Sequence, residues 1–155
     1  MKLTTKGRYA VTAMMDLALH AKLDHISLID IAERQHISLT YLEKLFGSLR
    51  KAGLIKSVRG AKGGYMLARD AKDISLADIL IAAGEKINLT CGSGRECDPV
   101  NPCLTHHLWT NLSQELFQFL DGKKLNDLVR SRHVQTMAAL QDVTQIGDIP
   151  IQINR

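Results

Sequence analysis

No apolar run in the chain approaches the roughly 20 residues needed to cross a bilayer, and its first residues lack the pattern of a signal peptide. Neither a membrane protein nor a secreted one is expected; a cytoplasmic one is. Cysteine is absent outside residues 91–103. Three cysteines are an odd count, which suits a disulfide framework poorly because one thiol is left over. Outside that stretch no serine–histidine–acid or cysteine–histidine–acid arrangement stands out, so enzymatic activity is not expected.

With 155 residues, 45% of them hydrophobic, the chain can bury one good core in one or two small domains. Its charge is unevenly spread. Residues 1–72 hold 13 Lys and Arg against 6 Asp and Glu, whereas residues 73–155 hold 7 against 10. A basic first half joined to a mildly acidic second half suggests a polyanion-binding module coupled to a sensing or assembly module.

The basic half carries a helical pattern. Ala10, Ala13, Met14, Leu17, Ala18 and Ala21 recur at the spacing of one helix face, predicting a buried helix from Gly7 to about Ala21. Ser27, with Asp30 three residues later, caps a second helix running from Leu28 to about Gln35. After the turn His36-Ile37, Ser38 is placed to cap a third helix, with Leu39, Leu42, Leu45, Phe46 and Leu49 inward and Thr40, Tyr41, Glu43, Lys44, Gly47 and Lys51 outward. Two short helices joined by a tight turn form a helix-turn-helix pattern. On its second helix Ser38, Thr40 and Glu43, with Tyr41 beside them, are candidates to read base edges, the glutamate as an acceptor for a cytosine amino group. Lys44, Arg50 and Lys51 are candidates to meet phosphates.

Leu54-Ile55-Lys56-Ser57-Val58-Arg59 reads as a strand, Gly60-Ala61-Lys62-Gly63-Gly64 as a turn and Tyr65-Met66-Leu67-Ala68 as a returning strand. Such a hairpin is a wing whose tip, Arg59, Gly60 and Lys62, can approach a nucleic-acid backbone or minor groove. The glycine order matches neither the P-loop nor the dinucleotide fingerprint.

The cysteines lie in Cys91-Gly-Ser-Gly-Arg-Glu-Cys97-Asp-Pro-Val-Asn-Pro-Cys103, a stretch too polar and turn-rich to hold them as core hydrophobes. With His106 they supply soft thiolate and imidazole donors that such loops can bring to one point, and we read Cys91, Cys97, Cys103 and His106 as an iron–sulfur ligand set, with His107 as the rival for the imidazole place. Zinc is the alternative; its usual knuckles space cysteines two to four residues apart, and both gaps here are five. Pro102 and Cys103 are expected to open a helix reaching about Leu120, with Cys103 and His106 one turn apart on the same face. That helix repeats Leu104, Leu108, Leu112, Leu116 and Phe119, with Trp109, Phe117 and Leu120 to one side, which predicts a homodimer built on it. His20, His25, His36 and His133 read as solvent or packing residues.

The strings Met1-Lys-Leu-Thr-Thr-Lys-Gly-Arg-Tyr-Ala-Val-Thr-Ala-Met14, Ile37-Ser-Leu-Thr-Tyr-Leu-Glu-Lys-Leu-Phe46 and Val58-Arg-Gly-Ala-Lys-Gly-Gly-Tyr65 together resemble the Rrf-type family of bacterial winged-helix regulators over roughly the first 85 residues. The cysteine loop followed by Cys103-Leu-Thr-His106-His-Leu-Trp109 is similar to the iron–sulfur branch of that family. The resemblance implies a 2Fe-2S cluster on Cys91, Cys97, Cys103 and His106. It also implies a homodimer that represses or activates iron–sulfur assembly genes; two-fold symmetry then calls for a roughly palindromic double-stranded DNA operator. Thr40 stands where the family pattern leads one to expect serine, and the tail after about His133 matches no part of it.

The expected architecture is mainly α with a small β-wing. A winged helix-turn-helix DNA-binding domain spans residues 1–85, a cluster-binding loop 86–106 and a dimerisation helix region 103–133. Residues 134–155 form a tail with a short helix through Leu140 and no assigned function. Alternatives are a zinc-binding or redox-sensing winged-helix regulator, and a cluster carrier or electron-transfer protein.

Overall fold

In the computed structural model, residues 3–21, 24–89, 97, 98 and 100–147 are described. Helix α1 (Thr5–His20) is followed by α2 (Leu28–Gln35) and α3 (Leu39–Lys51), each opened by a hydroxyl cap. Thr4 accepts from the Gly7 amide at 3.2 Å, Ser27 from Asp30 at 3.1 Å and Ser38 from Tyr41 at 3.2 Å, satisfying amides that have no partner inside the helix. Helix α2 stops at His36, whose left-handed φ of 52° turns the chain sharply into α3.

Strands β1 (Ile55–Val58) and β2 (Gly64–Leu67) pair antiparallel, Ile55 opposite Leu67 and Val58 opposite Gly64. Gly64 belongs to the returning strand rather than to the turn, since it pairs with Val58, and its neighbour Tyr65 also bridges to Ile26. A Cβ at Gly64 would stand 2.5 Å from the Ile26 carbonyl oxygen, so only glycine lets the two backbones meet.

Helix α4 (Leu76–Ala82), unforeseen above, opens with a full capping box: Ser75 accepts from the Asp78 amide and Asp78 from the Ser75 amide, both at 3.0 Å. The core lies between α1, α3, the base of the wing, α4 and residues 125–129, with Met14, Leu17, Leu42, Phe46, Leu49, Ile55, Ile74 and Leu125 wholly or almost wholly shielded from solvent. Burying each such large apolar side chain is worth about 1.5–3 kcal/mol. Leu39 departs from its expected inward place: at the first turn of α3 it stays 39% exposed.

Helix α5 runs from His106 to Gly122. It ends there because the chain turns to hydrogen-bond beside α4, Leu76 donating to Lys123 and Leu125 to Ile74, both at 2.8 Å. The region expected as one dimerisation helix is therefore divided into α5 and α6 (Leu125–Arg130). The tail forms α7 (Arg132–Gly147), longer than the expected short helix.

Helix α7 docks through a polar network on α1 and α2. Asp16, fully buried, takes a two-pronged ion pair from Arg34, at 2.9 Å from Nε and 2.7 Å from Nη2, and a third bond from Gln35 at 2.7 Å. His20 lies between Asp16 and Asp142 of α7, its Nε2 3.0 Å from Asp142, while Gln35 donates to Gln141 at 3.0 Å. His20 is thus a structural ion-pair partner, not a bystander. His25 likewise contacts the Lys62 carbonyl, tying the α1–α2 connection to the wing.

Hydrogen bonding to Asp16 outweighs burial and raises the His20 pKa to about 9. Burial pushes Asp16 up, but donors from Arg34, His20 and Gln35 more than offset it and hold the carboxyl at about 2. Because the folded state binds the His20 proton more tightly than the unfolded chain, this stabilisation is fully present below pH 6.5 and lost as pH rises through about 9. The Asp16 contribution is present above pH 3.8 and lost as pH falls through about 2. We predict that the melting temperature declines between pH 6.5 and 9 and that His20→Gln flattens this decline, measured by thermal denaturation across that window. Equal slopes for the two proteins would contradict the assignment.

Candidate nucleic-acid interface and metal centre

The exposed side of α3 is held to the core by Leu42, Leu45, Phe46 and Leu49 on its other side. Of the outward set Thr40, Glu43, Lys44 and Lys51 are exposed and Gly47 is half-buried; the phosphate candidate Arg50 is exposed too. Ser38 is exposed as well, but its hydroxyl is committed to capping α3. Tyr41 is half-buried, its ring edge-on to Tyr9 with centroids 5.6 Å apart, so its position is fixed by α1.

At the wing tip Arg59, Gly60 and Lys62 are exposed. Gly60 has a φ of 132°, and its carbonyl accepts from the Gly63 amide at 3.0 Å, which closes the turn. Phe46 meets Tyr65 edge-on at 5.0 Å and couples the base of the wing to α3. Lys6, absent from the sequence-based set, lines a shallow hollow with Tyr41, Lys44, Leu45 and Ser48 and adds a cation beside α3. A lysine just inside a helix start has no periodicity to mark it; only the crossing of α1 over α3 reveals it.

Of the proposed ligands, Cys91 lies outside the described residues. The sulfurs of Cys97 and Cys103 are 3.4 Å apart, Cys103 exposed and Cys97 half-buried. Thiolates sharing one tetrahedral ion at about 2.3 Å stand roughly 3.7 Å apart, so the pair suits a common metal with little movement. The expected helix start is corrected: Cys103 precedes α5, in a turn closed by its own carbonyl accepting from the His106 amide at 3.0 Å. Thr105 forms the N-cap without a capping side-chain bond; its hydroxyl instead accepts from the Trp109 indole at 3.0 Å and lies 3.6 Å from the Cys103 sulfur. Cys103 and His106 are still one turn apart in the chain, but not on one helix face. The His106 and His107 rings stand edge-on at 5.6 Å. Among the described residues no group of three or more His, Cys, Asp or Glu side chains converges on a metal position.

Along α5, Leu108, Leu112 and Phe119 are 57%, 41% and 60% exposed, whereas Leu116 and Leu120 pack on α4. Beside them Leu3, Val11, Leu76, Leu80 and Leu120, with Arg8 at one edge, line an apolar hollow of about 310 Å³. Among the described residues no helix is long and apolar enough to cross a membrane.

The profile of the Rrf2 family, described as iron-dependent transcriptional regulators, matches residues 3–131. The HTH-type transcriptional regulator IscR of Photorhabdus laumondii is 50% identical over 143 residues, covering 92% of this chain and 87% of that protein. The IscR structure from T. potens superposes with a TM-score of 0.68 at 41% identity, over 84% of this chain and 87% of that one. CymR of B. subtilis, a global cysteine regulator, gives 0.70 at 36% identity over 83% and 95%. These similar proteins are named as regulators, not as enzymes. A mostly helical chain with a two-stranded antiparallel wing, matched over this length, belongs to the Rrf2 family of winged-helix transcriptional regulators and is IscR-like within it.

Proposed function

We propose that the chain is a homodimeric DNA-binding regulator whose operator affinity or site choice is set by a 2Fe-2S cluster on Cys91, Cys97, Cys103 and His106, and that it controls iron–sulfur assembly genes. The observation that carries the reading is the pair of sulfurs 3.4 Å apart directly ahead of α5, in a chain whose other half presents a helix-turn-helix and wing. When bound, the cluster supplies an inorganic crosslink whose histidine ligand is protonatable and more readily lost than a thiolate. One imidazole in place of a fourth thiolate also leaves the centre one unit less negative, which eases reduction. Both properties suit a sensor more than an electron carrier.

The domain assignment follows: residues 1–85 bind DNA, 86–106 hold the cofactor, and α5 within 103–133 joins two copies. Thr40 and Glu43 read base edges, with Ser38 and Tyr41 beside them, while Lys44, Arg50, Lys51, Arg59, Gly60 and Lys62 meet the backbone or minor groove. Glu43 is repelled by phosphate unless it finds a donor such as a cytosine amino group, so it discriminates more than it binds. Two-fold symmetry places the two recognition helices about one DNA turn apart, which calls for a roughly palindromic operator.

Operator titrations of reconstituted wild type and of Cys97→Ala test the reading. The wild type should differ from the variant in affinity or site preference; identical behaviour would sink the coupling. Separately, Arg59→Ala should weaken binding and lower the slope of log affinity against log salt by about one. An unchanged slope would remove the wing from the interface.

A further inference from the structure

Glu85 stands where α4 releases the chain toward the cysteine-bearing stretch, yet its carboxylate serves the opening turn of α1. Gly84, with a left-handed φ of 88°, ends α4, and the Glu85 amide donates to the Leu80 carbonyl at 2.9 Å. One carboxylate oxygen, Oε1, accepts from the Thr4 amide at 3.2 Å, the Gly7 amide at 3.2 Å and the Thr4 hydroxyl. A residue about 80 positions away thus supplies a second cap to a helix that already has Thr4. Room for it depends on Gly7, where a Cβ would lie 2.5 Å from that oxygen.

Contacts extend from Glu85 in both directions. Downstream, Ile87 packs against the cluster of Ala77, Leu80 and Leu120, on which Leu3, Val11 and Leu116 also rest, and the Leu89 amide donates to Ser113 of α5 at 2.7 Å, two residues before Cys91. Upstream, the first two turns of α1 carry Lys6 and Tyr9; the first borders Tyr41 and Lys44, and the second fixes the Tyr41 ring at 5.6 Å. Residues 85–89 thus touch the start of α1, and the start of α1 in turn borders α3.

We propose that Glu85 is the positioning residue that links the state of the cysteine-bearing loop to the recognition helix, through a first turn of α1 that is either capped by its carboxylate or capped by Thr4 alone. This rests on the reading under Proposed function, and it names the two-position element which that coupling requires. The equilibrium between the two arrangements moves only by the difference in cofactor affinity between them.

The test is operator affinity of the full chain, cluster-loaded and stripped, for wild type, Glu85→Ala, Glu85→Gln and Gly7→Ala, with the visible absorption of the loaded forms recorded. In wild type the loaded and stripped affinities should differ by about tenfold or more. In Glu85→Ala and Gly7→Ala the ratio should fall toward one with the absorption spectrum unchanged, and Glu85→Gln, which retains an acceptor, should keep part of it. A cap of purely structural value would lower the melting temperature and leave the ratio intact, which overturns the proposal while sparing the functional reading. A wild-type ratio of one at every operator sequence titrated defeats both.

Discussion

In the proposed homodimer, Leu108→Arg combined with Leu112→Arg should separate the two copies and lower operator affinity by about 10²–10⁴-fold, the range lost when two linked contacts become independent. The two leucines lie on α5 with Phe119, all substantially exposed in the single chain, next to the hollow lined by Leu3, Val11, Leu76, Leu80 and Leu120. A two-fold contact sets the same patch against itself, so each substitution brings like charges together and removes them from water without a partner. Light scattering reads the mass and an operator titration the affinity. A doubly substituted protein that remains a dimer would move the interface elsewhere on the molecule.

Arg34→Ala should cost about 3–5 kcal/mol, the usual penalty for leaving one member of a buried ion pair behind. The Asp16 side chain is 0% exposed and the Arg34 side chain 7%, so water cannot readily replace the guanidinium. Gln35 and His20 still donate to Asp16, which favours the lower end of that range. For a domain of this size each kcal/mol shifts the midpoint by about 2–4 °C, so the melting temperature should drop by roughly 10 °C. Asp16→Leu together with Arg34→Met should recover most of the loss, since an apolar pair of similar volume needs no partners. A single variant that melts like wild type would mean that the pair does not hold α2 against α1.

The first half of the fold was readable because its signals are local. Caps at Ser27 and Ser38 and the three-to-four-residue spacing of Leu42, Leu45 and Leu49 each act within one helix. Leu39 breaks the pattern, remaining 39% exposed at the first turn of α3. Helix α4 carries its own local signal, the capping box of Ser75 and Asp78, in plain spacing. The start of α5 at His106 rather than Cys103 is a matter of one turn, decided by backbone bonds that residue types do not announce.

Long-range pairing was the least legible part. Nothing near His20 points to Asp142, and nothing near Gln35 points to Gln141; these partners meet only when α7 folds back over α1 and α2. Glu85 is similar, an acid of ordinary sequence context whose role depends on the arrival of Thr4 and Gly7 from the other end of the domain. At the candidate metal centre, the residue types and spacing of Cys97 and Cys103 are what suggest a shared ion; their sulfurs lie 3.4 Å apart, and Cys91 lies outside the described residues.

The central claim is that a four-residue thiolate and imidazole set holds an iron–sulfur cofactor. Anaerobic purification followed by visible spectroscopy and by iron, sulfide and zinc analysis tests it most directly. The account predicts brown protein with iron and sulfide in equal amounts; colourless protein carrying zinc, or no metal at all, would contradict it.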